Sequence, residues 1–265
     1  MPVPERLNPA FSSARSPAPD LLEEARNRLI VALDVPGPAE AIEMVNRLES
    51  SCRWFKVGLE LFVAAGPAVL EPLAERGHSI FLDLKLHDIP NTVAGAVRSA
   101  AALGARMMTL HAAGGPAMLE AARGALEGVA NPPQLLAVTV LTSMDAVQLA
   151  ATGCSAPVAG QVELLARMAL AAGIDGFVCS PQEAAAVRAF AGPGAVLVTP
   201  GIRPAKDQTP SRPDDQKRIA TPGDALRNGA SYLVVGRPIT NAPNPAHAAE
   251  NILKEMAAGL EAWAC

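Results

Sequence analysis

A single-domain (β/α)8 TIM barrel of the α/β class is the fold that this sequence predicts. Three observations predict it. From Arg28 onward, short Val/Ile/Leu-rich runs alternate with Ala-rich helical segments, and such alternation implies parallel strands joined by helical crossovers. The runs number eight, and 265 residues is a usual length for one barrel of eight units. The first strand ends in Leu33-Asp34-Val35-Pro36-Gly37, without the G-x-G-x-x-G turn that an open dinucleotide-binding sheet favours.

The expected strands, in order, are 29–35, 54–60, 79–86, 107–112, 135–142, 176–180, 195–202 and 232–239. Each is a run of β-branched and aliphatic residues closed by polar residues, Gly or Pro. Helices are expected near 39–49, 62–76, 91–103, 116–128, 158–172, 181–190, 223–229 and 245–262, with one near 20–27 covering the start. No linker divides the chain, so the barrel is assigned to 28–265 and a partly irregular N-terminal extension to 1–27. The longest stretch without periodicity runs from Arg203 to Thr221 and contains Pro204, Pro210 and Pro213. A loop of that length is usually a lid, a binding loop or disordered.

Half of the residues are hydrophobic, yet aromatics make up only 3%. The apolar content is therefore mostly Ala, Val and Leu, suited to helices packed tightly over a parallel sheet. A net charge of −4 gives no general attraction to nucleic acid or to an anionic membrane, so an anionic ligand needs a local site. Cys52, Cys154, Cys179 and Cys265 fit neither a zinc site nor a disulfide framework and read as reduced thiols. Residues 1–20 are rich in Pro and Ser and carry Glu5. They lack the basic-then-apolar pattern of a signal peptide, and no apolar run reaches spanning length. The expected compartment is the cytoplasm.

The chemistry concentrates in Asp83-Leu84-Lys85-Leu86-His87-Asp88-Ile89-Pro90-Asn91-Thr92. In a strand, residues two apart share a face, so Asp83 and Lys85 should project together. Burying such charges is costly unless they are paired or used. Taken alone, the pair reads equally as a catalytic couple or as a surface ion pair at a strand end. Active sites of these barrels lie at the C-terminal strand ends. Those ends offer Asp34, Lys56, Asp83, Lys85, Asp88, Thr109, His111, Thr142, Ser143, Pro200-Gly201-Ile202-Arg203 and Gly236-Arg237. Lysines and aspartates thus converge on one mouth and can shift one another's pKa values. Gly236 permits close backbone approach and Arg237 offers a bidentate grip, which together suit a phosphate; the alternative is a surface Arg ending a strand. His111 could ligate a metal with Asp83 or Asp88, but Lys56 and Lys85 would repel the cation, and a hydrogen-bonded rim histidine fits better. Trp54 and Phe55 read as packing residues.

These residues resemble the orotidine 5'-phosphate decarboxylase family. The matching pieces are Ile30-Val31-Ala32-Leu33-Asp34, Phe55-Lys56-Val57-Gly58, the decapeptide 83–92, Val140-Leu141-Thr142-Ser143, Pro200-Gly201-Ile202-Arg203, Asp214-Asp215-Gln216 and Val235-Gly236-Arg237-Pro238-Ile239-Thr240. They span nearly all of 29–240 in family order. Residues 1–27 depart from the pattern.

The resemblance implies conversion of orotidine 5'-phosphate to UMP without metal or cofactor. It implies that Lys85 protonates pyrimidine C6 after carbon dioxide leaves, that Asp83 faces the departing carboxylate, and that Lys56 holds Asp83 and a ribose hydroxyl. Asp34 would bind ribose, and Thr142 and Ser143 the pyrimidine. Pro200 would belong to the binding wall, Gln216, Gly236 and Arg237 would hold phosphate, and Arg203 would anchor the loop. Asp88 and Thr92 would enter the neighbouring subunit's site, so the resemblance also implies a homodimer. Two alternatives remain open at this level: a magnesium-dependent sugar-phosphate decarboxylase or aldolase on the same barrel, and a non-catalytic nucleotide sensor.

Overall fold

The computed structural model describes residues 20–48, 51–205 and 218–264. Eight parallel strands close into a barrel in chain order, each pairing with its successor and β8 with β1. The helix α1 (Leu21–Arg28) leads into β1 (Leu29–Ala32), followed by α2 (Pro38–Leu48) and β2 (Trp54–Gly58). Next come α3 (Leu59–Ala65), α4 (Glu71–Glu75), β3 (Ser79–Leu86), α5 (Pro90–Ala102), β4 (Met107–His111) and α6 (Pro116–Gly124). The chain continues through β5 (Gln134–Val138), α7 (Ala146–Ala151), α8 (Val158–Ala171), β6 (Gly176–Val178) and α9 (Ala184–Ala191). It ends with β7 (Val196–Thr199), α10 (Pro222–Arg227), β8 (Tyr232–Val235), α11 (Arg237–Thr240) and α12 (Pro245–Ala264).

Strand alternation sorts side chains into two layers. Ile30, Ala32, Phe81, Met107, Leu136, Val198 and Val234 form a cluster inside the barrel. Leu29, Val31, Phe55, Val57, Ile80 and Leu82 belong to the larger core shared with the helices. Lys56 and Asp83 follow the inward register of Trp54 and Phe81, one layer nearer the C-terminal mouth. The helix α1 packs against α12, and Asp20 caps it by accepting from the Leu22 and Glu23 N–H groups at 3.1 and 3.3 Å.

Several strands stop short of their expected ends, β1 at Ala32, β2 at Gly58 and β7 at Thr199 among them, and four further differences have identifiable causes. The helix expected over 62–76 is broken at Gly66, whose φ of 64° ends α3, and Pro67 then opens a 3-10 turn before α4. Helix α7 was not expected; Asp145 and Gln148 build its capping box. The run at 135–142 stops as a strand at Val138, so Thr142 and Ser143 stand in the following loop. The run at 232–239 stops at Val235, because Arg237–Thr240 turns helical from Gly236 with Pro238 in the first turn.

Candidate active site

At the C-terminal mouth, four charges alternate in sign. Lys56 Nζ lies 2.8 Å from Asp34 Oδ1 and 3.5 Å from Asp83 Oδ2, and Lys85 Nζ lies 2.8 Å from Asp83 Oδ1. The side chains of Lys56 and Asp83 are 10% and 11% exposed, against 31% for Lys85 and 58% for Asp34. The two middle charges of the row are therefore buried, and its two ends, Asp34 and Lys85, reach toward solvent. Two buried ions without partners would each cost several kcal/mol; here each has a counter-charge on both sides.

Burial alone would raise the Asp83 carboxyl. Lys56 and then Lys85, with hydrogen bonds from Lys85 and Thr109, outweigh it and hold the group below the usual carboxylate value. Burial pulls the Lys56 ammonium down, but Asp83 and Asp34 overcome this and the net shift is upward. Both groups stay charged. His111 is pushed down, first by burial and then by His87 and Lys85; its ring sits 5.4 Å from that of His87. Among the described residues, no three His, Cys, Asp or Glu side chains group as a metal cage.

The tetrad opens into a cavity of about 350 Å³, a volume that suits a small-molecule site. Its inner wall is Ala32, Phe81, Val138, Val178, Val198 and Val234. Its polar rim brings together the expected Asp34, Lys56, Asp83, Lys85, Thr142, Ser143, Pro200, Arg203, Gly236 and Arg237. Asp88 and Thr92 do not line it. They are exposed at the start of α5, where the Asp88 carboxylate accepts from the Ile89 N–H at 2.6 Å. Gln216, with Asp214 and Asp215, lies outside the described residues. Gly58 makes room for the tetrad, since a Cβ there would lie 2.8 Å from Lys56 Nζ and 3.2 Å from Asp34 Oδ1.

Sequence reasoning missed three buried groups. Thr109 appeared among the strand ends but not as a site residue; it is fully buried and donates to Asp83 Oδ1 at 2.9 Å. Glu183 and Arg218 form a buried ion pair. Glu183 also accepts from the Ser180 N–H at 3.0 Å, and Arg218 donates to the Leu141 carbonyl at 3.1 Å. Arg218 therefore joins the ends of β5 and β6 to the chain that returns after Arg203. Ile202 bridges to Ala220, and the Arg203 N–H donates to the Ala220 carbonyl at 2.9 Å. A Glu-Arg pair 35 residues apart leaves no local spacing signal. The strain at Lys85 was also invisible: its φ of 51° is the single positive value among described non-glycine residues. Such a conformation costs about 1–3 kcal/mol and clusters at functional sites.

A closed (β/α)8 barrel with a charged, partly buried row at its catalytic face defines a barrel enzyme, and comparison with known proteins narrows the class. The model of the orotidine 5'-phosphate decarboxylase / HUMPS family matches residues 27–252, and the chain belongs to that family. It is 53% identical over 234 residues to the orotidine 5'-phosphate decarboxylase of Anaeromyxobacter sp. (strain K), covering 88% of this chain and 98% of the relative. It is 50% identical over 238 residues to that of Moorella thermoacetica, covering 88% and 93%. Among solved structures, the orotidine 5'-phosphate decarboxylase from Lactobacillus acidophilus superposes with a TM-score of 0.75 at 41% identity, over 86% of this chain and 98% of the other.

Proposed function

We propose that this site works as follows. The chain decarboxylates orotidine 5'-phosphate to UMP and carbon dioxide, a carboxy-lyase step of pyrimidine biosynthesis. The observation that carries the mechanism is the Asp34–Lys56–Asp83–Lys85 row, with Lys85 at its open, solvent-facing side of Asp83. Breaking the bond between C6 and the carboxylate leaves an electron pair on C6, in an orbital that does not delocalise into the ring. The reading assigns no metal or cofactor to this step, so fixed charge must stabilise the pair. Lys85 supplies the cation beside C6 and then transfers its proton there, completing UMP; solvent returns the proton to the lysine. Asp83 faces the departing carboxylate, and its ionised state, held by two lysines, orients Lys85. Lys56 and Asp34 bind ribose, Thr142 and Ser143 bind the pyrimidine, Pro200 belongs to the wall, and Gln216, Gly236 and Arg237 hold phosphate, with Arg203 anchoring the loop. Phosphate contacts remote from C6 supply binding energy that positions the reacting carbon.

Asp88 and Thr92 serve the site of a second copy, making the active form a homodimer. What supports this is their position on the rim, off the cavity and exposed, beside apolar residues that a lone subunit leaves in water. Ile89 is 68% exposed, and Leu59 and Val63 are 54% and 79% exposed. The two segments follow neighbouring strands, β2 and β3. Residues 28–265 form the catalytic domain and 1–27 an extension. No described helix is long and apolar enough to cross a membrane, and we place the enzyme in the cytoplasm with its pathway. Mixing the protein with orotidine 5'-phosphate and a chelator should deplete the substrate's ultraviolet absorbance; no depletion would overturn the reading, and magnesium-dependent turnover of a sugar phosphate in its place would favour the metal-dependent alternative.

A further inference from the structure

Strand β3 carries two residues more than its partner beside the site. Leu82 pairs with Met108, but the next pair is Leu86 with Leu110. Residues 83–85 therefore stand opposite Thr109 alone, where unbroken register would set Asp83 against Thr109 and Leu84 against Leu110. Bulges of this kind re-aim side chains next to active sites. The surplus is taken up at Lys85, whose left-handed φ of 51° withdraws its N–H from the ladder. That N–H donates to Thr109 Oγ1 at 2.8 Å, and the same hydroxyl donates to Asp83 Oδ1 at 2.9 Å. Asp83 Oδ1 in turn accepts from Lys85 Nζ at 2.8 Å. One hydroxyl, with its proton donated and a lone pair occupied, closes a ring around the lysine. It fixes the backbone of Lys85 directly and the ammonium through Asp83.

We propose that Thr109 is a positioning residue for the decarboxylation, holding Lys85 in its strained backbone conformation and setting the Asp83–Lys85 geometry. The proposal rests on the assignment of Lys85 as proton donor. Thr109 is fully buried and does not line the cavity, so its effect must pass through the pair. Its removal should act on kcat, because the phosphate and ribose contacts belong to other strands. Misplacement of a reacting group by about 1 Å can cost about 10²-fold in rate.

The test compares Thr109→Val, which keeps the shape and removes the hydroxyl, with Thr109→Ser, which keeps the hydroxyl. The readouts are kcat, KM, UMP affinity and thermal unfolding, with the wild type alongside. Thr109→Val should lower kcat about 10²-fold, leave KM and UMP affinity within about threefold, and remain folded at the assay temperature. Thr109→Ser should restore kcat to within about tenfold of wild type. Unchanged kcat in Thr109→Val, or equal losses in both variants, would overturn the proposal. Should the Val variant not fold, Thr109→Ala against Thr109→Ser carries the same comparison, and equal kcat in the two overturns it. Absence of turnover by the wild type would count instead against the decarboxylase reading.

Discussion

Asp83 has two ammonium groups and a hydroxyl favouring its charge, and burial opposing it. The sum holds it ionised, which makes the residue a pH-dependent element of stability. In the unfolded chain it titrates near pH 4, and in the folded protein lower. Its contribution is complete above about pH 4 and is lost as pH falls through the lowered native value. Lys56, shifted upward, contributes below about pH 10.5 and loses that contribution as pH rises through its raised native value. Urea unfolding between pH 3 and 5 should therefore show a shallower loss of stability with acid in Asp83→Asn than in wild type; identical slopes would contradict the shift. For Lys85→Ala we expect kcat to fall by about 10³-fold or more, through loss of both the proton and the fixed charge. Calorimetric UMP binding should persist, since the residues proposed to hold phosphate, Gly236 and Arg237, follow β8 and not β3. Near-normal turnover in this variant would remove the lysine from its role.

At the scale of elements, close approach matters more than propensity. The C-terminal end of β2 is Gly58, beneath the Lys56–Asp34 pair. Gly58→Ala places a methyl against Lys56 Nζ and should lower kcat/KM by about tenfold or more with little change in unfolding temperature, because only a side-chain end must move. Equal kcat/KM would show that the row tolerates displacement. Gly259 on α12 behaves differently. A Cβ there would lie 2.7 Å from the Gly223 Cα of α10, so backbone must yield to backbone. Gly259→Ala should destabilise by about 1–3 kcal/mol, seen as a lowered unfolding temperature, with the kcat of folded protein retained.

For the whole molecule, the proposed assignment of Asp88 to a neighbour's site would make activity a property of a dimer. Lys85→Ala and Asp88→Ala each damage a different subunit's contribution, so a mixed dimer holds one site with both defects and one intact site. Mixing the two inactive variants and allowing exchange should restore about a quarter of wild-type activity by random pairing. No recovery, with exchange verified by mass, would place Asp88 in its own subunit's site. Burial pushes the Cys52 and Cys179 thiols up to about 12, which keeps them protonated and weakly nucleophilic.

The barrel was legible because hydrophobic alternation and crossover length are local properties, carried by consecutive residues. The charged row was legible for the same reason: Asp34, Lys56, Asp83 and Lys85 all lie in or just beyond the C-terminal parts of their strands, and strands of one barrel converge. The expectation that Asp83 and Lys85 meet held, yet through a bulge and a left-handed lysine rather than through regular alternation. Strand ends were read too long wherever polar or Gly-Pro punctuation acted inside the apolar run, as at Val138 and Val235. What only the tertiary structure decided was the partnering between distant segments: Thr109 against the bulge, Glu183 with Arg218, Gly223 against Gly259. Each depends on which backbones come within a few ångströms after the barrel closes, and no spacing along the chain encodes that distance. The chemistry of the site was therefore written in residue types at strand ends, and its geometry in the register between β3 and β4.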